Sequence, residues 1–404
     1  MRRKLHVSQL FPTLETRRRR LWRRMIACTV VVGLAIVGGG AGLLAYEDPG
    51  IIPQAIDAAR AIFGPQPVAL VESWVFQAQD RVRQARYQAT GAAPQLQWAE
   101  PVQQPKPSKI IKPAKTNTST ETTPLSSDTT DTSSGPATET MVAWSPLIYA
   151  ASGQPALERA LVSPDPTRPY VQTALVRIDL HATQLHLIAG TQEPRSQVHV
   201  ARPGMIPLAD QRSGSLLAAF NGGFKAANGE FGMAAGGATL LPPIDRLATL
   251  AIYRDGQVKL GAWGSEIRPT PNLIAFRQNC PLLLDGGKPT EAANSDDAVL
   301  WGKTVGNKIA TWRSGLGLSA DGRYLIYAAS DGLTVPTLAQ ALADAGADRA
   351  MQLDINSWWT RFVTYSPIGS SNRLIAQKLI TSMVGDARQF QIPDTRDFFY
   401  VTAR

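Results

Sequence analysis

Met25 to Ala45 (MIACTVVVGLAIVGGGAGLLA) carries no charged side chain, and this run constrains the chain more than any other feature. A helix needs roughly 20 such residues to cross the hydrocarbon core of a bilayer. Arginines 17–20, 23 and 24 stand immediately before the run, and Glu47 and Asp48 follow it. Basic residues collect on the cytoplasmic flank, so the expected topology is single-pass, with a cytoplasmic N-terminus and the remainder extracytoplasmic at the cell membrane. The run exceeds a typical signal-peptide core, and no clear Ala-x-Ala site ends it before Tyr46, which favours an uncleaved anchor over a cleaved leader.

The basic character of the chain belongs to this tail. Of the net charge of +9 over 404 residues, residues 1–24 supply +8, from nine Arg or Lys and the single acid Glu15. The other residues are nearly neutral, so a nucleic-acid-binding face is rejected. Of the two cysteines, Cys28 lies in the apolar run and Cys280 in the exported part, which excludes an intrachain disulfide and a cysteine zinc cluster.

The composition divides the chain into a basic tail (1–24), a membrane anchor (25–45), a helical stalk (46–100), a disordered linker (101–140) and a folded domain (141–404). In the stalk, Pro53–Phe63 and Val68–Thr90 read as helices broken by Gly64-Pro65-Gln66-Pro67. The second carries an apolar stripe of Val71, Trp74, Val75, Ala78, Val82 and Ala85. That stripe is expected to pack on the domain or on the first stalk helix; the alternatives are membrane-surface contact and self-association. The linker is rich in Ser, Thr, Pro and Lys, with too little apolar surface to offset the entropy of ordering. It would act as a tether that gives the domain reach.

Within 141–404, strands are expected at Tyr170–Leu180, Gln184–Ala189, Leu216–Phe220, Leu247–Tyr253, Val258–Leu260, Leu282–Leu284, Leu316–Leu318, Tyr324–Ala329 and Ala350–Leu353. One helix, Thr337–Ala345, starts at Thr334-Val-Pro336 and ends at Gly346. Strand, helix and strand in that order predict a crossover unit. The fold class is α+β, a large mixed β-sheet domain with few helices.

Three apolar runs end in or begin at one polar residue, the pattern by which buried strands deliver side chains to a cleft rim. Asn221-Gly222-Gly223-Phe224 follows Leu216–Phe220 and reads either as a hairpin turn or, with the glycine cluster at 232–237, as a backbone-lined pocket. Arg313 precedes Leu316–Leu318; its planar fork suits a phosphate, and a structural ion pair is the other reading. Asp354 ends Ala350–Leu353 and suits a base, a nucleophile, a sugar-hydroxyl acceptor or a metal ligand, or else a turn cap.

These segments resemble the phosphodiester glycosidase family over about residues 174–365. Asn221–Phe224, Pro281-Leu-Leu-Leu-Asp285-Gly-Gly287, Arg313–Gly322 and the helix leading to Leu353-Asp354 are each similar to a family segment, in the same order. The resemblance implies a hydrolase cleaving a sugar 1-phosphodiester, with Asp354, Arg313 and Asn221 as catalytic residues. It also implies substrate contacts from Gly222, Gly223, Phe224, Asp285, Asn356 and Trp358. The family continues Leu-Asp into Gly-Gly-Gly-Ser, where this chain has Ile355-Asn356-Ser357-Trp358-Trp359. Asn356 can adopt a left-handed conformation at low cost and Ile355 cannot. The tryptophans read either as sugar-stacking rings or as core.

No zinc spacing, no phosphate-binding GxxxxGK[ST] and no GxSxG turn is present. No cofactor is expected; calcium stays open, although no EF-hand loop occurs. The expected partners are a glycan or sugar-phosphate substrate and, through residues 25–45, the lipid bilayer. The leading reading is a membrane-anchored hydrolase acting on cell-envelope or exopolysaccharide glycans. The alternative is a non-catalytic glycan-binding module that lost the glycine-rich loop, and a third is a scaffold for exopolysaccharide export.

Overall fold

The computed structural model of the protein describes residues 65–93, 96–99, 142–295, 301, 309–368 and 373–404. The tail, the anchor span 25–45, the first stalk helix and the segment 101–140 lie outside the described residues. Among those described, no helix is long and apolar enough to cross a membrane.

The helix Pro65–Thr90 comes first. Strands follow as β1 Ser145–Tyr149, β2 Pro155–Val162, β3 Thr173–Asp179, β4 Thr183–Ile188, β5 Leu216–Asn221, β6 Met233–Ala235, β7 Ala238–Leu241, β8 Ala248–Tyr253 and β9 Val258–Ala262. Then come β10 Leu273–Gln278, β11 Leu282–Asp285, β12 Lys288–Pro289, β13 Thr311–Leu318, β14 Tyr324–Leu333, the helix Val335–Asp344, β15 Arg349–Ile355, β16 Phe362–Pro367, β17 Leu374–Lys378 and β18 Phe398–Ala403.

These strands build three sheets instead of one, ordered β1-β2-β3-β14-β13-β15-β11-β12, β7-β6-β10-β8-β9 and β17-β16-β5-β18-β4. Every pairing between named strands is antiparallel, so the expected mixed sheet is corrected to antiparallel sheets. The crossover unit is present in split form. β14 and β15 run the same way, but β13 lies between them and pairs antiparallel with both.

The large sheet is covered on both faces, which explains its near-continuous apolar strands. On β14, Leu325, Tyr327 and Ala329 enter one core while Ile326 and Ala328 enter the other. The helix Val335–Asp344 covers the second face with Leu338 and Leu342. It starts at a Thr334–Thr337 capping box, and Gly346 follows it at φ +88°, as the sequence predicts. Gly317 of β13 faces this helix so closely that a Cβ would lie 2.4 Å from the Ala347 Cβ. The Ser-Gly-Leu-Gly-Leu pattern of β13 is therefore a packing device: glycines under the helix, Leu316 and Leu318 in the opposite core.

The expected packing of the apolar stripe on the domain is corrected for its residues from Trp74 to Val82, which stay exposed. The 65–90 helix docks by its polar face: Arg83 pairs with Asp331 at 2.6 Å, Asp80 lies 3.5 Å from Arg168, and the Tyr87 and Tyr170 rings are 5.7 Å apart. The chain beyond it also packs on the domain. Trp98 bridges to Ile380, Leu96 N–H donates to the Gln172 side chain at 2.8 Å, and the Arg159 guanidinium sits over the Trp98 ring. Described residues on both sides of the segment 101–140 are thus in contact with each other.

Candidate active site

The site forms where the end of β15 in the large sheet meets the end of β5 and the lead-in to β18 in the third sheet. Asp354 N–H donates to Gly222 O at 3.0 Å, and Gly222 N–H donates to Asp397 O at 3.1 Å. A bulge aims Asp354: Gly315 pairs with Gln352 and Arg313 with Ile355, so two steps on β13 oppose three on β15. Such an extra residue re-aims side chains and is common beside functional sites.

The Asp354 carboxylate is 6% exposed. One oxygen accepts from Ile355 N–H at 2.8 Å and the other from Arg396 Nη2. Burial pushes its pKa up from 3.8 to about 6; Arg396, the Ile355 N–H and Lys225 oppose that rise, and the Asp397 charge adds to it. Arg396 Nη2 also donates to Gly223 O at 2.8 Å, while its buried Nε has no hydrogen-bond partner. The Trp359 ring carries two cations, the Arg396 guanidinium at 4.6 Å and the Lys225 ammonium at 5.2 Å from its centroid. The result is a carboxylate of raised pKa inside a cationic, aromatic-walled recess.

Behind this recess lies a second, fully buried ion pair. Arg277 Nε donates to Asp397 Oδ2 at 2.8 Å, and its remaining N–H groups reach Asp397 Oδ1 and the carbonyls of Phe231, Gln278 and Phe224. Asp397 in turn accepts Gly223 N–H at 3.1 Å. A Cβ on Gly222 would lie 2.0 Å from Asp397 Oδ2, and one on Gly223 2.9 Å from Arg277 Cζ. The paired glycines are thus required by the protein's own ion pair, at ordinary φ, and the hairpin reading of Asn221-Gly222 is not realised.

The other sequence-predicted residues separate. Asn221 is adjacent to Asp354 but structural: its amide donates to Ser314 Oγ (3.0 Å) and Gly222 O, and its oxygen accepts from Tyr327 Oη and Arg361 N–H, each at 3.0 Å. Ser314 Oγ relays this network to Asp354 O at 2.7 Å. Phe224 is core, packed 6.0 Å from Phe231. Asn356 takes φ +84° as expected, and its side chain accepts from Trp358 N–H at 2.8 Å, so it shapes the turn that brings Trp359 to the recess. Trp358 is half-buried, and its backbone serves that turn and the Arg361 guanidinium.

Two residues are corrected. Arg313 shares the helix-facing side of β13 with Gly315 and Gly317, is fully buried, and donates to Leu333 O, the Gln352 side chain and Ile309 O. Burial depresses its pKa to about 10. Among the described residues it has no carboxylate partner, and it is fully buried, a placement that suits a structural role and not a phosphate fork. Asp285 pairs at 3.0 Å with Arg349, the first residue of β15. Asp354 lies at the other end of that strand, about 17 Å away at ~3.4 Å per residue.

The segments that complete the site, Arg277-Gln-Asn279 at the end of β10 and Asp394-Thr-Arg396-Asp397 before β18, were missed by sequence reasoning. Both carry the signal used elsewhere, polar residues flanking an apolar run. Among the described residues no group of three or more His, Cys, Asp or Glu is placed to hold a metal ion.

Residues 215–354 match the model of the phosphodiester glycosidase family. About a third of the chain is thus similar to the phosphodiester glycosidase family. The matched stretch begins just before β5 and ends on Asp354, so the phosphodiester glycosidase match includes the carboxylate but not Arg396 or Asp397. No curated protein matches the chain. Among solved structures, the catalytic domain of zebrafish N-acetylglucosamine-1-phosphodiester alpha-N-acetylglucosaminidase, auto-inhibited by its pro-peptide, is similar at 14% identity and TM-score 0.41, over 65% of this chain and 88% of that one. A hypothetical protein from Synechocystis is similar at 14% identity and TM-score 0.34, over 62% of this chain and 63% of that one.

Proposed function

We propose that the domain hydrolyses a sugar 1-phosphodiester at its C1–O bond. The observation that carries this reading is a single carboxylate of raised pKa, Asp354, held against Arg396 with Lys225 and Trp359 alongside. Ordinary glycoside hydrolysis needs two carboxyl groups, one of them to protonate the leaving oxygen. Here the nearby second carboxylate, Asp397, is neutralised by Arg277 and fully buried. A phosphate monoester leaves without a proton, its second pKa being about 6, so one carboxylate suffices.

In this mechanism Arg396 and Lys225 receive the phosphate oxygens and neutralise the charge that grows on them. Asp354 takes a proton from water as the water oxygen bonds to C1. The C1–O pair departs with the phosphate monoester. A pKa of about 6 leaves the base mostly ionised at neutral pH yet basic enough to act.

The anchor reading of residues 25–45 adds a location: the extracytoplasmic face of the cell membrane, with envelope or exopolysaccharide glycans as substrates. Protease added outside intact cells then removes the domain, and protection of the domain reverses the orientation. The second reading, a glycan-binding module, is favoured by one observation: Arg396 already occupies the Asp354 carboxylate. Incubating the protein with a panel of defined sugar 1-phosphodiesters and reading free sugar by mass spectrometry separates the two. Release that disappears in Asp354→Asn supports hydrolysis; glycan retention without release supports binding.

A further inference from the structure

The 65–90 helix presents the wrong face to solvent for a free-standing stalk. Its polar residues Asp80 and Arg83 and the Tyr87 ring dock on the domain. Trp74, Val75 and Val82 are left 70%, 45% and 69% exposed. At about 100° per residue the stripe centred on Trp74, Ala78 and Val82 points roughly 160° away from the docked face. Val68, two turns before Val75 on the same side, is fully buried, so the open part of the stripe runs from Trp74 to Val82, away from the docked residues Asp80, Arg83 and Tyr87.

Two observations identify what covers this open part. Among residues 74–90 the only acid is Asp80, which is held by Arg168 and Tyr170, and Arg83 is held by Asp331. The remaining charges, Arg81 and Arg86, are exposed and fall on the two borders of the stripe. An apolar strip with a tryptophan, bordered by arginines, matches the boundary between acyl chains and anionic headgroups. Chain length gives the second argument: only residues 46–64 separate the end of the anchor span from the helix. With the helix docked on the domain, these residues, at ~3.3–3.6 Å each when fully extended, keep the helix within about 65 Å of the surface from which the anchor emerges.

We infer that the 65–90 helix lies on the lipid surface through Trp74, Val75 and Val82, bordered by Arg81 and Arg86, fixing the orientation of the domain against the bilayer. The inference rests on the anchor reading of residues 25–45 and is independent of the hydrolase reading. The exposed stripe is small, and the anchor makes its contact effectively intramolecular, so modest affinity suffices.

The test uses the full chain in phosphatidylcholine–phosphatidylglycerol vesicles, with Cys28→Ser and a nitroxide label at Val82→Cys or Ala85→Cys. Cys280 is fully buried and does not compete for label. Labelling at exposed Ser152→Cys gives the aqueous reference. The expected result is a ratio of oxygen to water-soluble nickel accessibility several-fold higher at 82 and 85 than at 152, lost when Trp74→Glu is added. Equal ratios overturn the proposal. So does spin–spin broadening at 82 that vanishes on dilution with unlabelled protein, which would mean that a second copy covers the stripe. Carbonate extraction of the chain from the vesicles removes the anchor and the proposal together, leaving the hydrolase reading untouched.

Discussion

Arg396, two residues before the last strand, donates to the carboxylate of Asp354 at the end of β15, joining two sheets at one recess. This contact ties the fold to the proposed chemistry, because the partner that holds Asp354 is also the cation best placed for a phosphate. The buried Arg277–Asp397 pair stands behind it and holds the Gly222–Phe224 backbone in place.

Arg396→Lys is expected to lower kcat/KM by about 10²-fold, since an ammonium cannot serve Asp354, Gly223 O and a phosphate in one plane. Steady-state kinetics on any substrate found by the panel check this, and an unchanged kcat/KM removes Arg396 from the site.

The pH dependence has a definite sign. Activity that needs ionised Asp354 rises with pH through about 6, the value to which burial pushes this carboxyl. Arg396 opposes that rise, so Arg396→Gln should move the acidic limb of kcat/KM to higher pH. Stability runs the other way. From 3.8 to about 6 the folded state holds the Asp354 proton more tightly than the unfolded chain, so this group's contribution falls as pH rises through that window. Melting curves of Asp354→Asn should lack this component.

Arg313 separates structure from chemistry. Arg313→Met removes three buried donors and leaves the Leu333 and Ile309 carbonyls and the Gln352 side chain without them. A loss of about 2–4 kcal/mol is expected, since each unsatisfied buried group costs ~1–3 kcal/mol. KM per folded molecule should stay at the wild-type value. Denaturant melts and active-site titration distinguish this from a phosphate contact, which would raise KM without lowering stability.

How far the site can be read from sequence follows from strand alternation. The apolar runs of β5, β13, β14 and β15 and the cap signals of the 335–344 helix are periodic features, and they reappear as expected. The sequence places Arg313 at a cleft rim because it cannot say which face of β13 the helix covers; Gly317 packing against Ala347 shows that this face is the covered one. Asp354 reaches the recess through a bulge, which has no sequence signature. Arg396 and Asp397 precede β18 by only a few residues, and their link to Asp354 spans 42 positions in one case. The apolar stripe of the 65–90 helix is legible in the sequence, but its packing is not: the stripe residues from Trp74 to Val82 stay exposed while Asp80, Arg83 and Tyr87 make the contacts.

A chain beginning at Met141 should melt well below one beginning at Pro65, because it loses Trp98, Leu96 and Tyr87 from the partly buried rim of the cores. Trp98→Ala in the longer chain should reproduce part of the loss, up to the ~3–5 kcal/mol of a core Trp→Ala. Coincident melting temperatures would place residues 65–99 outside the folded unit.

The central claim is cleavage at C1–O with Asp354 activating water. Hydrolysis of a sugar 1-phosphodiester in water enriched in heavy oxygen, followed by mass spectrometry of both products, tests it most directly. The account predicts heavy oxygen in the released sugar and none in the phosphate monoester, with no release by Asp354→Asn. Label in the phosphate, or undiminished release by Asp354→Asn, would contradict it.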